Sequence, residues 1–219
     1  MSYIDGMETT TTAPMSGRKA QAARNDQVIL EAARAVFVAD PGAPISAVAE
    51  RAGVGISALY RRYASKEDLL RKLCSDGLKI YIAEAEAALA DEGDPWSAFT
   101  GFMRRIVDAD THSLTLNLAG TFTPDEGLHR DAVYAGELST QIFRRAEEAG
   151  ALRPGLEVAD MTMVFEQLAA IQLGDETRTS QMRHRYLALM LDAMHLASAS
   201  PLPGPPPGVE EVNRRWTVH

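Results

Sequence analysis

One cysteine, Cys74, stands in a chain of 219 residues, so no intrachain disulfide can form. A single thiol inside a helical pattern reads as a small buried hydrophobe. Long apolar runs are absent, which excludes a bilayer-spanning helix, and the first 25 residues lack the apolar segment of a signal peptide. The expectation is a cytoplasmic protein without a membrane partner. No stretch alternates apolar and polar residues as a half-buried strand would. The five histidines (112, 129, 184, 195, 219) form no His-x-x-x-His pair, and none has the cysteine beside it, so no metal and no cofactor is expected. There is no phosphate loop, no Gly-x-Gly-x-x-Gly, no His-Glu-x-x-His and no Gly-x-Ser-x-Gly, and nothing asks for an enzyme.

Positive charge is also scarce, 22 Lys and Arg against 30 Asp and Glu, for a net charge of −8. By itself this argues against non-specific nucleic-acid binding. The distribution matters more than the total. From Arg18 to Lys66 eight basic residues stand against four acidic ones, whereas beyond Lys66 fourteen stand against twenty-four. A small basic module sits on an acidic body.

What is present is helix. Alanine, leucine, glutamate and arginine dominate, and apolar residues recur at helical spacing throughout, predicting an all-α chain of about nine helices. Residues 1–21 are polar and threonine-rich, with Met7 and Met15 as alternative starts, and read as a disordered arm. Arg18, Lys19 and Arg24 could follow phosphates or a minor groove. A first helix is predicted over 22–39, with Ile29, Ala33, Val36 and Phe37 on one face, stopped by Asp40, Pro41 and Gly42. A second, 45–52, brings Val48, Ala49 and Ala52 to the same core, with Pro44 in its first turn, and Gly53 ends it. The third, 56–63, buries Ile56, Leu59 and Tyr63 and turns Ser57, Ala58, Tyr60, Arg61 and Arg62 outward or to the flank.

A short helix held from behind by two others can enter the roughly 12 Å major groove with its N-terminal residues at the base edges. Arg61 and Arg62 suit phosphate or guanine, and the Tyr60 hydroxyl suits a phosphate oxygen. Ser65 to Asp68 is a capping-box-like start for a fourth helix, where Lys66 makes a second phosphate site. On this pattern alone, an ordinary helical hairpin with a solvated arginine pair competes.

The segment A-x-x-A-G-V-G-I-S-A-L-Y-R-R-Y-A-S-K-E-D-L-L resembles the helix-turn-helix signature of the TetR family of bacterial transcriptional regulators. The likeness covers roughly residues 24 to 72. It implies a DNA-binding head of three helices, and a fourth helix leading to a helical domain that dimerises and usually binds a small ligand. Carried over by position, it makes Gly55 the N-terminal position of the recognition helix and Ile56, Ser57 and Ala58 its leading turn. Tyr60 becomes the phosphate-contacting tyrosine and Lys66 the lysine that opens the fourth helix. Two departures stand out. Pro44 replaces a frequent threonine, leaving Ser46 as the substitute phosphate contact, and Ala58 replaces another, offering a methyl to a thymine methyl.

Beyond Leu70 the patterns speak alone. The fourth helix extends to about Ala90 through Leu73, Ile80, Ala83, Ala87 and Leu89. Asp94 and Pro95 open a fifth that carries Trp96, Phe99, Met103, Ile106 and Val107. A short sixth segment is expected over 112–120. Thr123 to Glu126 reads as a capping box for a long helix with Leu128, Tyr134, Leu138, Ile142 and Phe143 inward. The last two helices, 157–172 and about 179–197, are assigned to a dimer interface, as the resemblance also implies, through Met161, Phe165, Leu168, Tyr186, Leu187, Met190 and Met194. Residues 200–208 hold five prolines and read as an extended tail.

The domain plan is an arm over 1–21, a head over 22–68, a body over 69–198 and a tail over 199–219. Methionine and aromatic side chains suit an adaptable apolar cavity. The candidates are Trp96, Phe99, Met103, Phe122, Tyr134 and Phe165, with His112 and Asn117 among the polar groups, beside Arg104, Arg105 and Gln167. Each could equally be plain core or surface. The resulting expectation is a homodimer on palindromic double-stranded operator DNA, most simply a repressor released by an unknown, largely apolar effector. The alternative is a DNA-binding regulator that no small ligand gates.

Overall fold

The computed structural model describes residues 17–118, 120–195, 202–208 and 210–211, with side chains from Arg24 onward except at 115–117. The expected disordered arm before Gly17, and most of the expected tail, lie outside these residues. Leu202 to Gly208 runs without helix or strand and mostly exposed.

Among the described residues the chain is all helix: α1 Gly17–Ala39, α2 Ile45–Ala52, α3 Ile56–Arg62, α4 Lys66–Ala90, α5 Pro95–Ala109, α6 Thr111–Leu118, α7 Glu126–Glu148, α8 Val158–Ala169 and α9 Glu176–Met194. Local chemistry sets most boundaries. The side chains of Ser65, Asp94, Asp125 and Asp175 each accept the backbone N–H three residues on, at 2.8–3.0 Å, satisfying donors that a helix start leaves orphaned. Gly53 closes α2 in the left-handed region, φ 65° and ψ 28°, which glycine adopts without strain.

Several expectations are corrected. Helix α1 begins at Gly17 rather than near Ala22. Pro44 caps α2 from outside in extended backbone. The cap of α7 is Asp125, not Thr123. Instead, the Thr123 N–H donates to Glu67 Oε1 at 3.2 Å and its carbonyl accepts from Arg71 Nε at 3.0 Å, pinning the α6–α7 loop to α4. Along α4 the buried stripe runs Leu70, Leu73, Cys74, Tyr81, Ala85 and Ala88, while Ile80, Ala83 and Ala87 face outward. Packing against α5 and α7 chooses the face.

Two apolar clusters share α4. The first joins α1, α2, α3 and the start of α4 around Phe37, Val48, Leu59 and Leu69, and it also takes Leu114 and Leu118 of α6, Phe122 and Leu128. The second gathers the rest of α4 with α5, α7, α8 and α9 around Phe99, Phe102, Ile106, Met161 and Leu187. Each such side chain contributes about 1.5–3 kcal/mol on burial. Leu78 packs against both. The head is therefore not closed at residue 68, because α6 and the foot of α7 complete its core.

Within the second cluster the Tyr81 hydroxyl donates to Ser139 Oγ at 2.7 Å, and Ser139 donates to the Ala135 carbonyl at 2.7 Å, so no polar end is stranded. Burial pushes the Tyr81 phenol up to about 12 and the Cys74 thiol likewise to about 12, making the latter the inert buried thiol expected.

Candidate nucleic-acid interface

Helices α2 and α3 meet across a tight turn in which the N–H groups of Gly53 and Val54 return to the carbonyls of Glu50 (3.1 Å) and Ala49 (3.0 Å). Those bonds close the C-terminal end of α2 and start α3 two residues later. Leu59 is fully buried and Tyr63 nearly so, and this pair holds α3 against the other helices. The opposite side is open. Gly55, Ile56, Ser57, Tyr60, Arg61 and Arg62 are exposed and Ala58 is half-buried. Ile56, expected both inside and at the base-reading turn, is 40% exposed, which overturns the first placement. Ser46 is exposed on α2.

The two arginines have parted. Arg62 is committed to α1: its Nε and Nη2 donate to the two carboxylate oxygens of Asp26 at 2.8 and 2.9 Å, and the Tyr63 hydroxyl donates to Asp26 Oδ1 at 2.6 Å. The Arg62 bond holds the Asp26 carboxyl below its ordinary range. Burial, then the Asp26 bond, pushes the Tyr63 phenol far up. Arg61 lies exposed one residue away and makes no hydrogen bond or ion pair within the described residues, leaving its charge available.

Lys66 departs from its expected role. Its ammonium donates to the carbonyls of Pro41 (2.9 Å) and Ala43 (2.8 Å) and lies 4.9 Å from the centre of the Phe37 ring. It braces the α1–α2 turn from beneath. The reason is geometric: with two carbonyls and a ring face around it, the ammonium points inward.

The expected ligand and dimer residues sort differently again. Trp96 stacks on Phe99 at 5.6 Å, with the His195 ring edge-on to it at 4.8 Å. Met103 is fully buried in the second cluster. His112 stacks on Phe165 at 4.5 Å, beside Tyr81. Phe122 lies in the head's core, and Tyr134, expected inside, is exposed and donates to Glu86 at 2.8 Å. The Asn117 side chain is outside the described residues. The other seven do not surround one space. Arg104, Arg105 and Gln167 are exposed, Arg105 pairing with Glu84 at 2.5 Å. Of the residues assigned to a dimer face, Met161, Phe165, Leu168, Leu187 and Met194 are buried within the chain, and only Tyr186 and partly Met190 face out. Helix α8 is apolar around most of its girth because α5, α6, α7 and α9 all pack on it.

A charged junction in the body leaves little trace in the sequence pattern. Asp110, at the α5–α6 corner, pairs with Arg34 of α1 (3.2 Å) and with Arg183 of α9 (2.6 Å). The one sequence signal was an arginine in the middle of α9's apolar stripe, flanked at i+4 by Leu187.

The buried back, exposed front and glycine turn of α2 and α3 define a helix-turn-helix DNA-binding domain on an all-helical body. Residues 29–73 match the family model described as bacterial regulatory proteins, tetR family. No curated protein matches it. A TetR transcription regulatory protein from Mycobacterium vanbaalenii is 25% identical over 81% of this chain and 99% of its own, with a TM-score of 0.53. The regulator LfrR from Mycobacterium smegmatis, solved with proflavine, shares the fold at 21% identity over 83% and 99% of the two chains, TM-score 0.57. The ketosteroid transcriptional regulator of Mycobacterium tuberculosis shares it at 19% identity over 78% and 95%, TM-score 0.60.

Proposed function

We propose that the protein is a homodimeric transcriptional regulator that binds a palindromic operator, acts as a repressor, and is released by a small, largely apolar ligand. The observation that carries the DNA-binding half is the outward display of Gly55, Ile56, Ser57, Tyr60 and Arg61 on one side of a helix whose other side is locked by Leu59. Ser57 and Ala58 read bases, Ile56 and Gly55 allow close approach, and Tyr60, Arg61 and Ser46 meet phosphates. Arg62 reaches the backbone only by leaving Asp26, and Lys66 supports the head rather than contacting DNA. The head's working unit is 22–68 together with α6, and the body is the remainder to residue 198. No described helix is long and apolar enough to cross a membrane.

Dimerisation follows from reading length, since one short helix spans too few base pairs to find a site in a genome. The outer face of α9 supports it. Met182, Tyr186, Leu189, Met190 and Ala193 recur at helical spacing, Tyr186 at 46% and Leu189 at 54% exposure. A ligand is supported by analogy, because among proteins of this fold one was solved with proflavine and others are a gamma-butyrolactone receptor and a ketosteroid regulator. The second reading, a regulator governed by a protein partner or an activator, rests on the cleft beside His112, which measures about 10 Å³, about one water. A gel shift with the gene's own upstream DNA tests the first half. Absence of a bound upstream palindrome at low salt would overturn it, and a thermal-shift ligand screen separates the two readings.

A further inference from the structure

The cleft where α5, α6, α8 and α9 meet has an apolar wall of Ile106, Val107, Phe165 and Leu168, and a polar end formed by Asp110, His112 and Arg183. Arg183 is 8% exposed. Its Nη1 donates to Asp110 Oδ1 at 2.6 Å, and its Nε and Nη2 donate to the carbonyls of Ile171 (3.2 Å) and Ala169 (3.0 Å). A guanidinium carries five N–H groups, so these three bonds leave donors unspent. Asp110 is the opposite case. Its Oδ1 accepts from both Arg183 and the Ser113 hydroxyl, and its Oδ2 faces Arg34 Nη2 at 3.2 Å. The His112 ring, 3.4 Å from the Thr111 hydroxyl through Nδ1, adds no cation near neutrality. Arg183 thus keeps two N–H groups unspent, while three of the roughly four acceptor sites of the Asp110 carboxylate are in use. The spare N–H groups suit a further acceptor, and beside a buried guanidinium the strongest acceptor is an anion.

We propose, resting on the ligand-gated reading above, that this cleft is the effector site and that it takes an apolar molecule ending in a carboxylate, which pairs with Arg183 in place of Asp110. Asp110 makes the exchange consequential. The residue sits in left-handed backbone, φ 48° and ψ 37°, alone among the described non-glycine residues in having positive φ, and it is held there from two sides. On the body side stands Arg183. On the head side Arg34 Nη2 donates to the carbonyls of Asp110 and of Ala109, the latter at 3.3 Å. One residue therefore ties α9 to α1, and losing one tie changes the seat of the other. The cleft now holds about 10 Å³, so a ten-carbon chain enters only a state in which its walls have moved apart. A ligand excluded from one state and admitted to another is what an effector must be.

Isothermal titration of the full-length protein without DNA tests this, using octanoate, decanoate and dodecanoate against the matching primary alcohols. The expected result is that at least one acid binds about 10-fold or more tighter than its alcohol, equivalent to about 1.4 kcal/mol. Arg183→Gln should erase that preference. Asp110→Asn should tighten acid binding, because it removes the competitor while leaving Arg183 in place, and this variant decides the matter if Arg183→Gln does not fold. Equal binding of acid and alcohol, binding of neither, a preference that survives Arg183→Gln, or unchanged or weaker acid binding by Asp110→Asn would each overturn the proposal. Because no DNA is present, failure here leaves the operator reading standing, and a failed gel shift leaves this result intact.

Discussion

Asp26 on α1 grips Arg62 on α3 through both carboxylate oxygens, at 2.8 and 2.9 Å, across 36 residues of sequence. The pair fixes the angle at which the recognition helix leaves the head, and Tyr63 adds a third bond to the same carboxylate at 2.6 Å. Asp26→Asn should therefore weaken binding to every DNA sequence alike, by loosening α3 rather than removing a contact. The stability cost is about 1 kcal/mol, kept small because the Arg62 side chain is 49% exposed and water screens it. The pH dependence has a definite sign. A carboxyl held below its ordinary value of 3.8 gives stability that is fully present above that value. The contribution is lost as pH falls through the lower folded value. Acid melts of the wild type and Asp26→Asn should converge below pH 3.8.

Lys66 and Arg61 offer a test by contrast. Lys66→Ala strands the carbonyls of Pro41 and Ala43, which should cost about 1–3 kcal/mol of stability. It should leave the slope of log K against log salt unchanged, since the ammonium is occupied within the head. Arg61→Ala should do the reverse, leaving melting within about 0.5 kcal/mol and flattening the salt slope by about one unit. Equilibrium melts and binding titrations at several salt concentrations read both quantities. A flattened slope for Lys66→Ala would mean that its ammonium swings out to phosphate on binding.

The contrast also shows what could be read from sequence. Caps such as Ser65 and Asp94 are local, their partners three residues away, and the helix boundaries they set followed from spelling alone. Buried faces of α1, α2 and α5 were legible because one side of each meets a single core. Lys66 was not, because its acceptors lie 23 and 25 residues upstream. Nor was the junction at Asp110, whose partners stand 76 and 73 residues away. The assignment of Met161, Leu187 and Met194 to a dimer surface failed for a related reason. Apolar spacing tells that a face is covered but not by what, and in α8 and α9 the body itself is the cover.

His112 supplies a pH prediction of opposite sign. Burial against Tyr81 and Phe165 pushes its pKa down to about 4 from 6.5, and the charge of Asp110 only partly offsets this. The folded state thus prefers the neutral ring. Above pH 6.5 both folded and unfolded chains leave it neutral and nothing changes. As pH falls below that value the unfolded chain takes the proton first, and stability declines until about pH 4, where the folded ring also protonates. The loss is on the order of 3 kcal/mol at most. His112→Phe, which keeps the ring stack, should flatten the stability curve between pH 6.5 and 4. A curve that keeps its wild-type slope there would show that another group titrates.

Leu187 and Leu189, two residues apart on α9, should behave as opposites. Leu187 is 1% exposed and belongs to the body's core, whereas Leu189 is 54% exposed beside Tyr186. Leu187→Ala should cost about 2–5 kcal/mol of stability, as core truncations do. Leu189→Glu removes nothing from the core, so the monomer should keep its helical signal. A carboxylate on the outer face of α9 would, however, be buried unpaired if two copies meet there, and such burial is costly. Sedimentation equilibrium should then find wild type as a dimer and Leu189→Glu as a folded monomer. DNA affinity should fall steeply in that variant, because each half-site must be filled by an independent head. A Leu189→Glu protein that remains dimeric and binds DNA normally would place the subunit contact on another face.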